Sequence, residues 1–312
     1  MTTQIAAMNM FEGLPETAAP VLGDPPYTTD RAEQLTAGVG YEAQFSRLRL
    51  KGGVQRAAHE RTFHAPGVAP TSAHQSPWLY DLSTAAAVTD WITAFATLSR
   101  GLEDSGVAPN NAVNRNEVLP PVIANQQELG LRAGLGEMTL IASAFRIDKP
   151  AAAFDSTGAY RLSGEVTHRG LELSLSGRLR PELRLLAGAA LLDAKRAGEL
   201  VEAGQISEEV PGVSRVQAVA GFTWDAPWAR GLSFDGQASY YGSRRVRSTS
   251  ALEAPAYATV NLGLRKVLVV AERQLALRLR VTNLFDTDAW VAGRSETLDR
   301  VPRRGLQVSL SY

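Results

Sequence analysis

The sequence predicts an all-β chain: an antiparallel meander of about fourteen strands, forming a partial or small closed transmembrane β-barrel. Three observations predict it. Apolar and polar residues alternate with period two along much of the chain, which puts them on opposite faces of a strand. Tight breaks alternate with long polar connections. Aromatic residues gather near strand ends.

Taken in chain order, the alternation runs through Leu35 to Tyr41 and through Arg47-Leu48-Arg49-Leu50-Lys51, then Ile92 to Leu98 and Leu129 to Leu135. It continues in Leu171-Glu172-Leu173-Ser174-Leu175-Ser176, Val216 to Trp224, Leu232 to Tyr240 and Thr259 to Arg265. Leu275 to Thr282 and the final Gly305 to Tyr312 complete the series. No stretch of similar length carries a helical stripe of period 3.6.

Tight breaks are expected near Ala43–Ser46, Val88–Asp90, Gly134–Glu137, Gly177–Glu182, Asp225–Gly231 and Val267–Arg273. Long connections are expected over Glu12–Asp30, His64–Pro77, Gly101–Pro121, Pro150–Gly158, Lys195–Gly212, Gly242–Pro255 and Phe285–Val301. They exceed the usual loop median of about 4–6 residues. Soluble sandwiches also alternate, but they have no reason to sort loops by length. Membrane barrels do sort them, with short turns at one rim and long loops at the other. Tyr41, Trp91, Trp224, Trp228 and Tyr312 lie beside the short breaks, as an interfacial girdle requires.

Composition narrows the classes further. The 32 basic and 32 acidic residues cancel and no basic block occurs, so no nucleic-acid partner is expected. With no cysteine, thiol chemistry and Cys-based zinc sites are excluded. The longest clean apolar run, Leu185 to Leu192, is too short for a membrane helix, which needs about 20 residues. A barrel strand needs only every second residue apolar, because its neighbours satisfy its backbone. The opposite face can then hold Glu128, Arg132, Glu172, Asp235, Arg278 and Arg280. The N-terminus has neither the basic region nor the apolar run of a signal peptide.

Several motifs then accumulate in order. Leu119-Pro120-Pro121-Val122-Ile123-Ala124-Asn125-Gln126-Gln127-Glu128-Leu129-Gly130 is followed by Ala144-Phe145-Arg146-Ile147-Asp148-Lys149 and by His168-Arg169-Gly170-Leu171-Glu172-Leu173 with Gly177. Tyr241-Gly242-Ser243-Arg244, Val281-Thr282-Asn283-Leu284-Phe285-Asp286 and Pro302-Arg303-Arg304 come after them. Together, over about residues 119–312, they resemble the TonB-dependent outer-membrane receptors, most closely the siderophore-receptor branch. Upstream, Tyr41 to Trp91 fits more loosely.

The resemblance implies an outer-membrane receptor for a ferric siderophore or a similar chelate. It also implies outer-membrane lipid as a partner, and contact with a TonB-type energising protein through a plug. Tyr312 stands where the family has the terminal aromatic read by the barrel-assembly machinery. The family adds a signal peptide, a TonB box and a plug to a 22-stranded barrel. The chain is therefore expected to be the C-terminal barrel portion, residues 1–312, without the plug and not competent for energised transport alone. A passive pore and a soluble all-β binding protein are the alternatives.

The resemblance places ligand capture in the long loops and upper lumen, where Arg forks and aromatic rings suit an anionic chelate. Arg244, Arg245, Arg247, Trp290 and Arg294 are the candidate ligand-binding residues. No catalytic residue, metal ligand or cofactor is expected. Gly38-Val39-Gly40 only mimics a nucleotide fingerprint within an alternating strand, and His59, His64, His74 and His168 are scattered. Asp286 and Asp288 read as turn residues.

Overall fold

The computed structural model describes residues 27–270, 272–292 and 296–312. Most of the expected Glu12–Asp30 connection, and Arg294, lie outside them. In chain order the strands are β1 (Thr29–Phe45), β2 (Leu48–His64), β3 (Thr71–Gln75), β4 (Trp78–Ala87), β5 (Ile92–Glu103), β6 (Val122–Leu135), β7 (Met138–Phe154), β8 (Tyr160–Arg180) and β9 (Leu183–Gly198). Then follow β10 (Val216–Asp225), β11 (Leu232–Tyr241), β12 (Arg244–Arg245), β13 (Glu253–Ala254), β14 (Tyr257–Val270), β15 (Arg273–Thr282), β16 (Trp290–Ala292), β17 (Leu298–Arg300) and β18 (Gly305–Ser311). A single helical turn, α1 (Glu199–Glu202), sits in one loop.

One 14-stranded antiparallel sheet runs β1-β2-β4-β5-β6-β7-β8-β9-β10-β11-β14-β15-β18, with β3 also paired to β2. Because β3 and β4 pair with successive stretches of β2, they share one position in the wall. Among the described residues the sheet is not closed, and β1 and β18 are its edges. The hairpins β12–β13 and β16–β17 belong to the long loops. Short turns link β1–β2, β4–β5, β6–β7, β8–β9, β10–β11 and β14–β15, all at one rim, and the long loops occupy the other.

Register separates the two faces. Leu50, Thr84, Ala96, Leu129, Ala144, Leu171 and Leu191 are successive cross-strand partners. The adjacent row on the opposite face reads Lys51, Ser83, Thr97, Glu128, Phe145 and Gly170. A one-residue slip would exchange these faces throughout, so the alternation fixes the register. Glu128, Ser143, Glu172, Gly188, Gln217 and Tyr241, from six consecutive wall strands, line one hollow, so the sheet curves toward its polar side.

Among the described residues no dry centre forms inside the sheet. Leu306 is 72% exposed and Leu171 56%, as outward-facing residues are when hydrocarbon rather than protein covers them. The buried apolar cluster Val246, Ala254 and Ala292 lies in the loops instead. Outward aromatics sit at the turn rim, where Trp224 meets Trp228 edge-on with ring centroids 4.9 Å apart. Trp78 and Tyr80 stand toward the loop rim, at the start of β4.

Two glycines illustrate why the wall bends where it does. Gly177 has φ of +140°, and a Cβ there would run into the Glu137 carbonyl at the neighbouring turn. At Gly170 a Cβ would come 2.9 Å from the ring of Phe145, which lies across it on the polar face.

Several expected long connections are partly strand: β3 forms within His64–Pro77, β9 runs on to Gly198, and at Pro150–Gly158 β7 continues to Phe154 and pairs with β8 across a register shift at Ala151/Ala152. Partnering by β6 ends at Asp148, so Pro150 lies where β7 has a neighbour on one side only. An edge of that kind tolerates a residue without an N–H.

Candidate functional site

Three loops meet above the polar face: 199–215, 242–256 and 283–304. Arg244, only 5% exposed, is their strut. Its Nη1 donates to Ser214 Oγ at 3.4 Å and to the Gly242 carbonyl at 3.3 Å, and Nη2 donates to the Trp290 carbonyl at 3.0 Å. The guanidinium also lies 5.1 Å from the Tyr257 ring, which stacks on Tyr241 with centroids 5.2 Å apart. Tyr241 and Tyr257 are cross-strand partners on the polar face, so this stack closes the top of the wall.

Arg245 donates to Glu209 at 3.0 Å and to the Ser250 carbonyl at 2.7 Å. Glu209 also pairs with Arg215. Ser248 donates to Glu296 at 2.6 Å, which ties the second loop to the third. At the base of that third loop, Asn283 is buried with φ of 48°. Its Nδ2 donates to the carbonyls of Thr287 and Pro302, both at 2.9 Å, and its Oδ1 accepts the Thr287 N–H at 2.8 Å. Asp286 accepts the Arg304 N–H at 2.9 Å, and Asp288 pairs with Arg300 at 2.6 Å. The Asn-Leu-Phe-Asp motif thus fastens the loop to the rim.

These contacts hold loop carboxylates charged. The Arg245 hydrogen bond, followed by the charge of Arg215, holds Glu209 below its usual range despite some burial. The Arg304 N–H does the same for Asp286. A carboxyl depressed on folding stabilises the fold above its unfolded value and loses that contribution as pH falls through the folded one. Pepsin cleavage within 199–215 is therefore expected to accelerate as pH drops below about 4. Glu209→Gln is expected to cleave quickly already at the upper end of that range, with a flatter pH profile.

Of the five candidate residues, Arg244, Arg245 and Trp290 meet in this cluster. Arg247 is exposed on the same loop. Trp290 is 46% exposed, with the Arg300 guanidinium 5.4 Å from its ring. Arg244 and Arg245 have their forks occupied by internal acceptors, whereas Arg247 and Trp290 face outward. Arg294 lies outside the described residues. Sequence reading missed Ser214, Glu209 and Tyr257; Tyr241 was marked only as the first residue of the Tyr241-Gly242-Ser243-Arg244 motif. His64 partners Thr29 while His74 faces Glu60, so the two loop histidines do not meet.

Below the loops, the polar wall is charged unevenly. From β4 to β8 it carries Asp81, Glu128 and Glu172 against Arg132. From β9 to β15 it carries Arg184, Arg265, Arg278 and Arg280 against Asp225 and Asp235; Asp225 pairs with Arg184 at 4.0 Å and Asp235 with Arg278 at 3.1 Å. The arrangement offers cations, hydroxyls and ring faces to a polar anionic guest.

The family model for "TonB dependent receptor-like, beta-barrel" matches residues 9–284. The ferrichrome receptor FcuA of Yersinia enterocolitica is 26% identical over 179 residues, covering 57% of this chain and 24% of that protein. The metal-pseudopaline receptor CntO of Pseudomonas aeruginosa is 28% identical over 187 residues, covering 53% and 25%. Among solved structures, BauA, the ferric preacinetobactin receptor of Acinetobacter baumannii, shares the fold with a TM-score of 0.79 at 23% identity, over 94% of this chain and 45% of that one. The ferric-catecholate import receptor Fiu of E. coli K12 gives 0.73 at 17%, over 91% and 45%. The matched stretch spans about a quarter of the length of these curated relatives and under half of the solved receptors.

Proposed function

We propose that this chain, which belongs to the TonB-dependent receptor-like β-barrel family of outer-membrane transport receptors, supplies the C-terminal arc of a barrel that admits ferric siderophore-like chelates. The observation that carries the reading is the open sheet with an apolar outer face and a charged inner one. Such a wall is useful only as part of a closed cylinder, because unpaired edges in lipid are costly. The ligands of the relatives, ferrichrome and metal–pseudopaline, support a metal–chelate ligand.

In this reading Arg247, Trp290 and Arg294 contact the chelate from the loops, and Arg244 and Arg245 hold the loops that present them. Tyr241 forms the upper wall that the guest meets next. The arc does not energise transport by itself; a TonB-type protein acts on the assembled receptor.

Chelate binding is testable through Trp290. Adding a ferric hydroxamate or ferric catecholate to the folded full chain is expected to quench tryptophan fluorescence saturably. Iron-free chelator is expected to quench far less, and Trp290→Phe to remove most of the response. A folded, heat-modifiable preparation that conducts ions linearly and shows no chelate-dependent quenching would favour the passive pore.

A further inference from the structure

The upper limit of the outward apolar face is not the same all round the sheet. Toward the loop rim, the outward series ends on arginine in four strands: Val54 is followed by Arg56 on β2, Leu98 by Arg100 on β5, Ala144 by Arg146 on β7, and Leu171 is preceded by Arg169 on β8. On β10, β11, β14 and β15 the series ends on Val216, Tyr240, Ala258 and Val281, without a cation. The four arginines therefore gather on β2 to β8, on the side of the long loops.

Their surroundings suit an anion arriving from outside the sheet. Arg146 and Arg169 are direct cross-strand partners. Such neighbours have Cβ atoms about 4.5–5.5 Å apart, and like charges so placed repel. Each is oriented by a carboxylate: Arg146 donates to Asp148 at 2.7 and 2.9 Å, and Arg169 to Asp193 at 2.9 and 2.7 Å. Both pairs engage Nε and Nη2, which leaves Nη1 directed elsewhere. Arg56 lies 5.6 Å from the Trp78 ring, and Arg100 partners Tyr80 across the ladder. Neither has a carboxylate in ion-pair range among the described residues, and the Arg100 Nε is buried without an acceptor. The line thus carries two uncompensated positive charges immediately above the apolar band.

We propose that this arginine line binds phosphomonoester-bearing lipid headgroups of the leaflet on the loop side. A phosphomonoester is tetrahedral and dianionic, so it can accept forks from two guanidiniums at once. An aromatic residue beside each uncompensated arginine, Trp78 and Tyr80, suits the depth of a headgroup. The inference rests on the outer-membrane reading of the fold and is independent of chelate uptake.

The test is native mass spectrometry of the folded full chain after exposure to diphosphoryl lipid A, phosphatidylcholine or inorganic phosphate. Diphosphoryl lipid A is expected to remain bound, while phosphatidylcholine and inorganic phosphate are lost. Arg56→Gln with Arg100→Gln is expected to weaken retention about thirty-fold, roughly five-fold per arginine near a charged membrane surface. Arg49→Gln with Lys51→Gln, on the polar face of β2, is expected to leave it unchanged and also controls for folding. Equal retention by wild type and the Arg56/Arg100 variant, or equal binding of phosphatidylcholine, would overturn the proposal. So would inorganic phosphate bound as tightly as the lipid, since the site would then be one for free anions.

Discussion

Leu173→Arg is expected to cost about 2–4 kcal/mol of folding stability in a bilayer, the range for arginine on the lipid face near the midplane. Ser174→Arg, one residue along the same strand, is expected to change stability by about 0.5 kcal/mol or less. Leu173 partners Ala142 and Ala189 on the outward face, with Leu171 and Leu175 flanking it on β8. Ser174 partners Ile141 and Gly188 on the polar face and lines the same hollow as Glu128 and Glu172. An arginine there has water and two carboxylates within the hollow. Urea unfolding in phosphatidylcholine vesicles of the chain paired with a complementary arc, followed by tryptophan emission, measures both variants. If Ser174→Arg proves the more damaging, the faces are inverted and the barrel reading fails.

The second large effect concerns the edges. In lipid each unsatisfied backbone group costs several kcal/mol, so two free edge strands together cost on the order of tens of kcal/mol. Direction restricts how they can be paired. β1 begins opposite His64 at the loop rim and descends to the turn rim, and β18 descends likewise from Gly305. Among the described residues the wall path holds 13 strands, an odd number, so its two edges run the same way. Closure upon itself, or a ring of identical copies, would join parallel edges. An antiparallel barrel therefore requires a complement with an odd number of strands, which for the 22-stranded transporters is about nine.

Delivered to the membrane alone with an export signal, the full chain is expected to be degraded, whereas in detergent, where water still reaches its two edge strands, it is expected to fold. Co-expressed with an arc of nine antiparallel strands, it is expected to become protease-resistant, whereas an arc of eight is expected to fail. Because the chain has no cysteine, Val39→Cys on β1 and Val308→Cys on β18 supply an unambiguous check. A disulfide formed within one chain would establish parallel self-closure and defeat the complement.

The sheet was readable in advance because period two decides which face each residue occupies, and burial demands a single register. Leu171-Glu172-Leu173-Ser174 states both faces in four letters. Loop lengths sorted by rim for the same reason: a bilayer has two different sides. Strand ends were less visible. Beyond the bilayer nothing forces a strand to stop, so β7 and β8 continue past the apolar band through Pro150.

The candidate site was legible only as composition. Arg244 looked like a loop arginine available to a ligand, but its partners Ser214 and Trp290 come from other loops, 30 and 46 residues away. No local pattern encodes such a meeting. By contrast, Asn283 was readable as a rim residue, because an asparagine at a strand end can close several backbone groups at once.

The unequal halves of the charged wall have a geometric consequence. A body filling the bore would have to turn a basic flank toward Glu128 and Glu172 and an acidic flank toward Arg184 and Arg280. Rotated half a turn, it would bring like charge against like on both flanks. A barrel completed from this arc would thus favour one azimuth for whatever fills it.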